Sequence, residues 1–419
     1  MQDAGRNRRG SPGGRVCFNL ESGIRNLESA FLLLFLLASG ALAGPAEDHI
    51  DAQLRVVRWL DSIVPEMSGV ADDGAKRLLA GGQLYLAGER GMVLELLTRA
   101  GGLCCARAFQ PGKTQLGRND IVLYSSYGVQ EKPFSETLGR VEALVVGFPA
   151  AVNAAAAVKL PENERCIPAG LLPEKMAARA ATPAVAIAQW AFTAELIGAG
   201  RRQGKQLAVY LSIHLDEGRK RFERTKGLLF EPDLKPEPAA SGQFARAFLG
   251  QVRAALEATR NDEIGRIRQA AAWLREAKAA GRKVVRHLYG HLPPTEAGLP
   301  GDPALFTHTV TGPVGEKGVE WIRTNLQEGD VYLLVGYQQN EDAMAAAANA
   351  LGARTVFITS LGPGGGQAKS PRHLYINPHW PLTDGCLDLS GYDVKACPLS
   401  GILGLTCYYA VCAEAASRE

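Results

Sequence analysis

Side-chain amides, one adjacent charge pair and a scatter of histidines are the groups in this sequence whose types and spacing could do chemistry. Gln338, Gln339 and Asn340 stand in a row within the loop 336–340, and each offers an amide N–H donor and a carbonyl acceptor to a hydroxyl-rich ligand. Glu89 and Arg90 set opposite charges side by side in a short glycine-bounded loop, Gly88 to Gly91. There the arginine would attract an anion and the glutamate would repel it. Ser125, Ser126 and Gly128 give a third loop, rich in hydroxyls. Five histidines lie beyond residue 243: His287, His291, His308, His373 and His379. His287 and His291 would share one face of a helix and could hold a metal there. Val284-Val285 before them read as strand, however, and Pro293-Pro294 follow, so no metal is expected. His379 comes just after a strand end and is the histidine best placed for a ligand. The glycines of 362–366 lead to Lys369-Ser370 without the Gly-Lys-Ser/Thr junction of a nucleotide-binding loop, and there is no dinucleotide fingerprint or zinc signature. No cofactor is expected.

These loops must be carried by strands and helices. Val331 to Val335 is an apolar run of buried-strand length, Glu341-Asp342 open an alanine-rich helix, Gly352 closes it, and Thr355 to Thr359 is a second β-branched strand. Strand, loop, helix and strand within about 30 residues make a βαβ unit, which implies a parallel sheet covered on both faces. Ligands on such sheets sit beyond the carboxyl ends of the strands. Leu84 to Ala87 predicts another strand, followed by a helix from Met92 to Arg99 that Gly101-Gly102 stops. Ile121 to Tyr124 and Val141 to Gly147 predict strands, Thr182-Pro183 the start of a helix, and Lys205 to Lys226 its helical continuation. The segment 231–242, with three prolines and a Ser-Gly finish, reads as a linker. Beyond it the cycle restarts: helix over 244–280, strands at 283–288, 304–310, 373–376 and 385–389, and an apolar helix over 398–415.

The pattern around Asp330, Gly352-Ala353 and Ile358-Thr359-Ser360 resembles the SIS (sugar isomerase) family, as does Glu95 with Arg99-Ala100-Gly101-Gly102-Leu103. The resemblance covers about 46–215 and 243–416, and it implies two doubly wound, three-layer α/β/α domains with parallel sheets. It further implies a site at Gly88, Glu89, Arg90, Ser125, Ser126, Gly128, Gln338, Gln339, Asn340 and His379, with Glu95 as the catalytic base of an isomerase. The loops depart from the family: Glu89-Arg90 and the amides 338–340 replace the small and hydroxyl residues that cradle a phosphate. Glu95 also has a plainer reading, as a helix glutamate paired with Arg99 at i+4.

A length of 419 residues accommodates two domains, and a net charge of +3 with 21% charged residues excludes the dense basic surface of a nucleic-acid binder. The apolar run Ala30 to Ala43 ends in Ala41-Leu42-Ala43 and is too short to span a bilayer comfortably, so it reads as a signal sequence. The resulting division is signal peptide 1–43, first domain 44–230, linker 231–242 and second domain 243–419. Seven of the 8 cysteines follow residue 43, an odd number that does not read as a disulfide framework, although Cys386 and Cys397 are spaced to bridge. The expectation is therefore an exported protein, periplasmic or extracellular, that binds a small sugar derivative, with a homodimer left open. The alternatives are an active aldose–ketose isomerase or muramic-acid-phosphate etherase, and a structural protein with a degenerate pocket.

Overall fold

The computed structural model describes residues 44–417 apart from 98, 128–137, 139–140, 151–162, 171, 173–176, 214, 300–303, 313, 338–341, 361–369 and 382–383. The segment 1–43 expected to be a signal sequence, Gly128, Gln338, Gln339, Asn340 and the glycine-rich 362–366 therefore lie outside the described residues.

Gly44–Glu419 is one compact unit. Helices α1 (Pro45–Ser62) and α2 (Val64–Leu79) lead into β1 (Leu84–Gly88), α3 (Arg90–Leu97), β2 (Ala106–Ala108), β3 (Ile121–Ser126), β4 (Leu144–Pro149) and β5 (Glu164–Cys166). Then come α4 (Ala177–Arg202) and α5 (Asp216–Thr225). The second half opens again with a helix pair, α6 (Gln243–Asp262) and α7 (Ile264–Ala279), followed by β6 (Val284–Leu288) and a single 3-10 turn at Pro293–Glu296. It continues with β7 (His308–Val310), α8 (Glu316–Asn325), β8 (Val331–Val335), α9 (Asp342–Ala350), β9 (Arg354–Ile358) and β10 (His373–Ile376). A small antiparallel pair, β11 (Gly385–Leu387) and β12 (Ala396–Pro398), precedes the last helix, α10 (Ser400–Ala416).

Both five-stranded sheets are parallel throughout. Their orders are β2-β1-β3-β4-β5 and β10-β9-β8-β6-β7. Counted from its own first strand, each sheet runs 2-1-3-4-5, so the fold is α/β with two doubly wound sheets. The order reverses between the first and third strands, and that switch point is where the chain leaves a crevice at the strand tips.

Strand periodicity decides which side chains meet which layer. Val331, Leu333 and Val335 join Leu84, Leu86, Ile121, Leu123, Leu144 and Val146 in the central core. Tyr332 and Leu334 face the opposite way, into a second core with Ile322 of α8 and Met344 of α9. Ala87, Val122 and Val145 do the same for the first sheet. The central layer is helical: α4 packs on α6, α2 and α10, and α1 packs on α10 and α6. Every residue from Ala180 to Arg201 and from Ser400 to Cys412 is buried, as a helix apolar on all sides must be.

Two aspartates start the sheets in the same way. Asp120 accepts from the backbone N–H of Gln83 (2.8 Å) and of Gly117 (2.7 Å). Asp330 accepts from Lys283 N–H (2.9 Å) and Gln327 N–H (2.9 Å). Each carboxylate thereby fixes the entry to the first strand of its sheet against the entry to the third.

Some elements differ from the sequence expectation. The α4 helix begins at Ala177, with Pro183 inside it, rather than at Thr182-Pro183. Lys205 to Ile213 is not helical; α5 is confined to Asp216–Thr225, and Leu207 and Val209 form isolated bridges to Phe230 and Leu103. The proline-rich segment 231–242 is anchored at both ends. Glu231 pairs with Arg221 (2.5 Å), and Glu195 of α4 accepts from the N–H groups of Gly242 (2.8 Å) and Ala245 (3.2 Å) at the start of α6. Cys386 and Cys397 face each other across β11 and β12, and both are free thiols.

Candidate functional site

The switch-point loops of the two sheets meet at one cleft. From the first sheet come Glu89 and Arg90, just after β1, and Tyr127, just after β3. From the second come Gly290 and His291, after β6. Together with Pro294, Thr295 and Thr311 they line a cavity of about 640 Å³. A second cavity of about 450 Å³ shares Gly290 and His291 and is otherwise walled by Arg99, Tyr210, Phe222, Tyr289 and Tyr337.

Gly88 makes the tight approach that opens the first loop. Its φ is +92°, and a Cβ there would stand 2.0 Å from the Ser125 carbonyl oxygen, so only glycine fits. Glu89 follows, and its carbonyl accepts from Val93 N–H (3.1 Å) in the first turn of α3. Its carboxylate reaches the Tyr127 N–H at 3.4 Å, which links the loops after β1 and β3. Arg90 is exposed over the cavity. On the other wall, Thr295 donates to the Leu292 carbonyl (2.7 Å), which sets its hydroxyl beside Gly91.

Glu95 is fully buried in α3 and lines neither cavity. It pairs with Arg99 at 3.5 Å, and Arg99 pairs in turn with Asp384 at 2.7 Å and donates to the Ser400 hydroxyl. Asp384 accepts from the N–H groups of Leu399 (3.0 Å) and Ser400 (2.8 Å) at the start of α10. Burial pushes the Glu95 carboxyl up to about 7; Arg99 pulls against this, Asp384 adds to it, and the Trp190 indole opposes it slightly. Neither Glu95 oxygen accepts a hydrogen bond of ordinary length. Tyr337 lies over the Arg99 guanidinium, 5.7 Å from its carbon to the ring centre.

The remaining expected site residues fall elsewhere. Ser125 is buried and donates to the Ala87 carbonyl (3.3 Å), so its hydroxyl turns to the sheet. Ser126 is half-buried at the end of β3 and does not line either cavity. His379, at φ +61°, sits 3.8 Å from Glu263 at the junction of α6 and α7, away from the cleft. His287 belongs to strand β6, not a helix. It meets Tyr332 (2.5 Å) and the Gly312 carbonyl (3.0 Å), and burial lowers its pKa. No group of metal-ligating side chains occurs among the described residues. The sequence reading missed Tyr127, Tyr289, His291 and Thr295. Applying the strand-tip rule to Val284–Leu288 as well as to the two flanking strands would have found the last three.

No protein-family profile matches the sequence, and no curated protein does. Three solved structures align over most of the chain. The C-terminal domain of glucosamine-fructose-6-phosphate aminotransferase from Francisella tularensis is 10% identical, with 87% of this chain and 96% of that one covered at a TM-score of 0.43. A protein from Salmonella typhimurium LT2 assigned as sugar-binding is 13% identical, with coverages of 86% and 98% and a TM-score of 0.43. A Clostridium novyi NT protein assigned as a tagatose-6-phosphate ketose/aldose isomerase is 10% identical, with coverages of 88% and 87% and again a TM-score of 0.43. Likenesses this distant leave the functional argument to the site itself.

Proposed function

We propose that the chain is an SIS-like protein that holds a carbohydrate derivative in the strand-tip cleft without turning it over. The observation that carries this reading is the cavity of about 640 Å³ in which the switch-point loops of both sheets converge. Its polar lining is what sugar hydroxyls need: a Glu–Arg pair, a histidine and two threonine hydroxyls, interleaved with Tyr127 and Leu94. Arg90 beside Glu89 offers an anion a much weaker site than an arginine alone would, so a neutral or amino sugar suits the cleft better than a sugar phosphate. Export belongs to the same reading and rests on the apolar segment 30–43. Among the described residues no helix is long and apolar enough to cross a membrane.

Absence of turnover is supported by Glu95, which is fully buried and lines neither cavity, whereas its ion-pair partner Arg99 lines the smaller one. One observation favours the alternative of an isomerase or etherase: a carboxyl pushed up to about 7 is matched to proton transfer at neutral pH. Calorimetry and thermal shift with neutral, amino and phosphorylated sugars test the two together. The binding reading expects stabilisation by a neutral or amino sugar, weakened by Arg90→Ala, with no product formed. No shift with any sugar would sink it, and turnover that Glu95→Gln abolishes would replace it with the enzyme.

A further inference from the structure

The two cavities are adjacent, sharing Gly290 and His291 in their walls, and as two lobes of the strand-tip cleft they have linings that differ in kind. The larger lobe carries Glu89, Arg90, Thr295 and Thr311. The smaller, of about 450 Å³, is walled by Tyr210, Phe222, Tyr289 and Tyr337 with Leu211 and Ile213. From these linings, and resting on the sugar-binding reading above, we infer that the ligand is a sugar joined to a neutral apolar group, with the sugar in the polar lobe and an aryl or acyl substituent in the aromatic one.

Three observations argue for this division. First, the charge at the base of the aromatic lobe is already spent. Arg99 meets Asp384 at 2.7 Å and Glu95 at 3.5 Å, and Tyr337 covers its face. An anionic group entering this lobe would face a guanidinium that two carboxylates already hold, whereas a neutral apolar group meets no such opposition. Secondly, the aromatic wall is held by contacts within the chain: Tyr210 and Phe222 stack at 5.8 Å between ring centres, with 23° between their planes. Thirdly, some large apolar side chains are exposed within the lobes themselves, where a ligand group can cover them. Among the described residues four stand out, and two of these line the lobes: Leu94 (38% exposed) in the polar one and Ile213 (54%) in the aromatic one. Ile213 stands at the non-helical turn before α5 and lines the aromatic lobe.

The test compares the 4-nitrophenyl and methyl glycosides of glucose and N-acetylglucosamine, titrated calorimetrically into the whole chain. The expected result is that the aryl glycoside binds about tenfold more tightly than its methyl counterpart, a difference of about 1.4 kcal/mol. Phe222→Ala should erase that tenfold gap and leave the methyl glycoside's Kd unchanged. Ile213→Asp should shrink the gap in the same direction, and because the position is exposed this variant folds whether or not Phe222→Ala does. Equal affinity for aryl and methyl glycosides, or an aryl advantage that survives both substitutions, overturns the two-lobe inference alone. Binding of neither glycoside type overturns the sugar reading, and this inference with it.

Discussion

The two sheets repeat each other strand for strand, yet the chain that follows their first strands differs. β1 ends at Gly88, at positive φ, and α3, eight residues long, follows. At the corresponding place, Leu288 at the end of β6 is followed by Tyr289-Gly290-His291 and, among the described residues, a 3-10 turn at Pro293–Glu296 rather than an α-helix. The frameworks are held alike, by Asp120 in one and Asp330 in the other, while the tips carry different side chains. Backbone hydrogen bonding fixes the first kind of feature and leaves the second free to vary. That freedom is how one repeated scaffold yields a cleft with two unlike walls.

The largest effect that would sharpen this contrast comes from Arg99, which belongs to the first half and holds Asp384 and Ser400 of the second. Arg99→Ala leaves Glu95 and Asp384 as uncompensated buried carboxylates and should cost about 3–5 kcal/mol in urea unfolding. A loss below about 1 kcal/mol would show that the charge set does not join the halves. Next come the paired aspartates. Asp120→Ala and Asp330→Ala each strip the acceptor from two backbone N–H groups, so each should cost about 2–4 kcal/mol, and the two costs should agree within about 1 kcal/mol. A large cost at one position and none at the other would break the equivalence of the frameworks.

The pH dependence separates the halves again, with smaller effects. Burial raises Glu95 from its ordinary 4.5 to about 7, so the folded state holds that proton more tightly than the unfolded chain. Its contribution is complete below pH 4.5 and is lost as pH rises through 7. His373, packed among Phe357 and Tyr375 and bonded to the Thr355 hydroxyl at 2.6 Å, is lowered by burial from 6.5 to about 4. Its contribution is complete above pH 6.5 and is lost as pH falls through 4. Each amounts to up to about 3 kcal/mol. Unfolding measured from pH 4 to 8 should therefore lose its falling limb in Glu95→Gln and its rising limb in His373→Asn; the same change of slope in both variants would refute the assignment. The smallest effect on stability belongs to Arg90→Ala. The side chain is exposed, so unfolding should move by less than about 0.5 kcal/mol while sugar affinity falls.

Much of this architecture was legible in the residues. Val331–Val335 is the apolar run that both faces of a parallel sheet require, Val284–Leu288 and Ile121–Ser126 open on β-branched residues, and all three are strands. The apolar terminal stretch is α10, bounded within two residues of the expectation. What stayed hidden is what depends on distant partners. Lys205 to Ile213 has helix-forming residues but is not helical, and Leu207 and Val209 within it bridge to Phe230 and Leu103. The aromatic lobe draws on residues 99–100, 210–222, 289–291 and 337, and no local pattern joins them. Arg99 looked like a helix-surface partner for Glu95 because spacing reports the i+4 neighbour and says nothing of Asp384, 285 residues on.

The first helix, α1, lies against the last, α10, and the Ala46 N–H reaches the Glu414 carboxylate at 3.4 Å across 368 residues of sequence. During synthesis, then, α4 leaves the ribosome with apolar side chains on every face and must wait for Ser400–Ala416 to cover it. A fragment ending near residue 242 would lack both α6 and α10, which cover α4, and is expected to precipitate rather than fold.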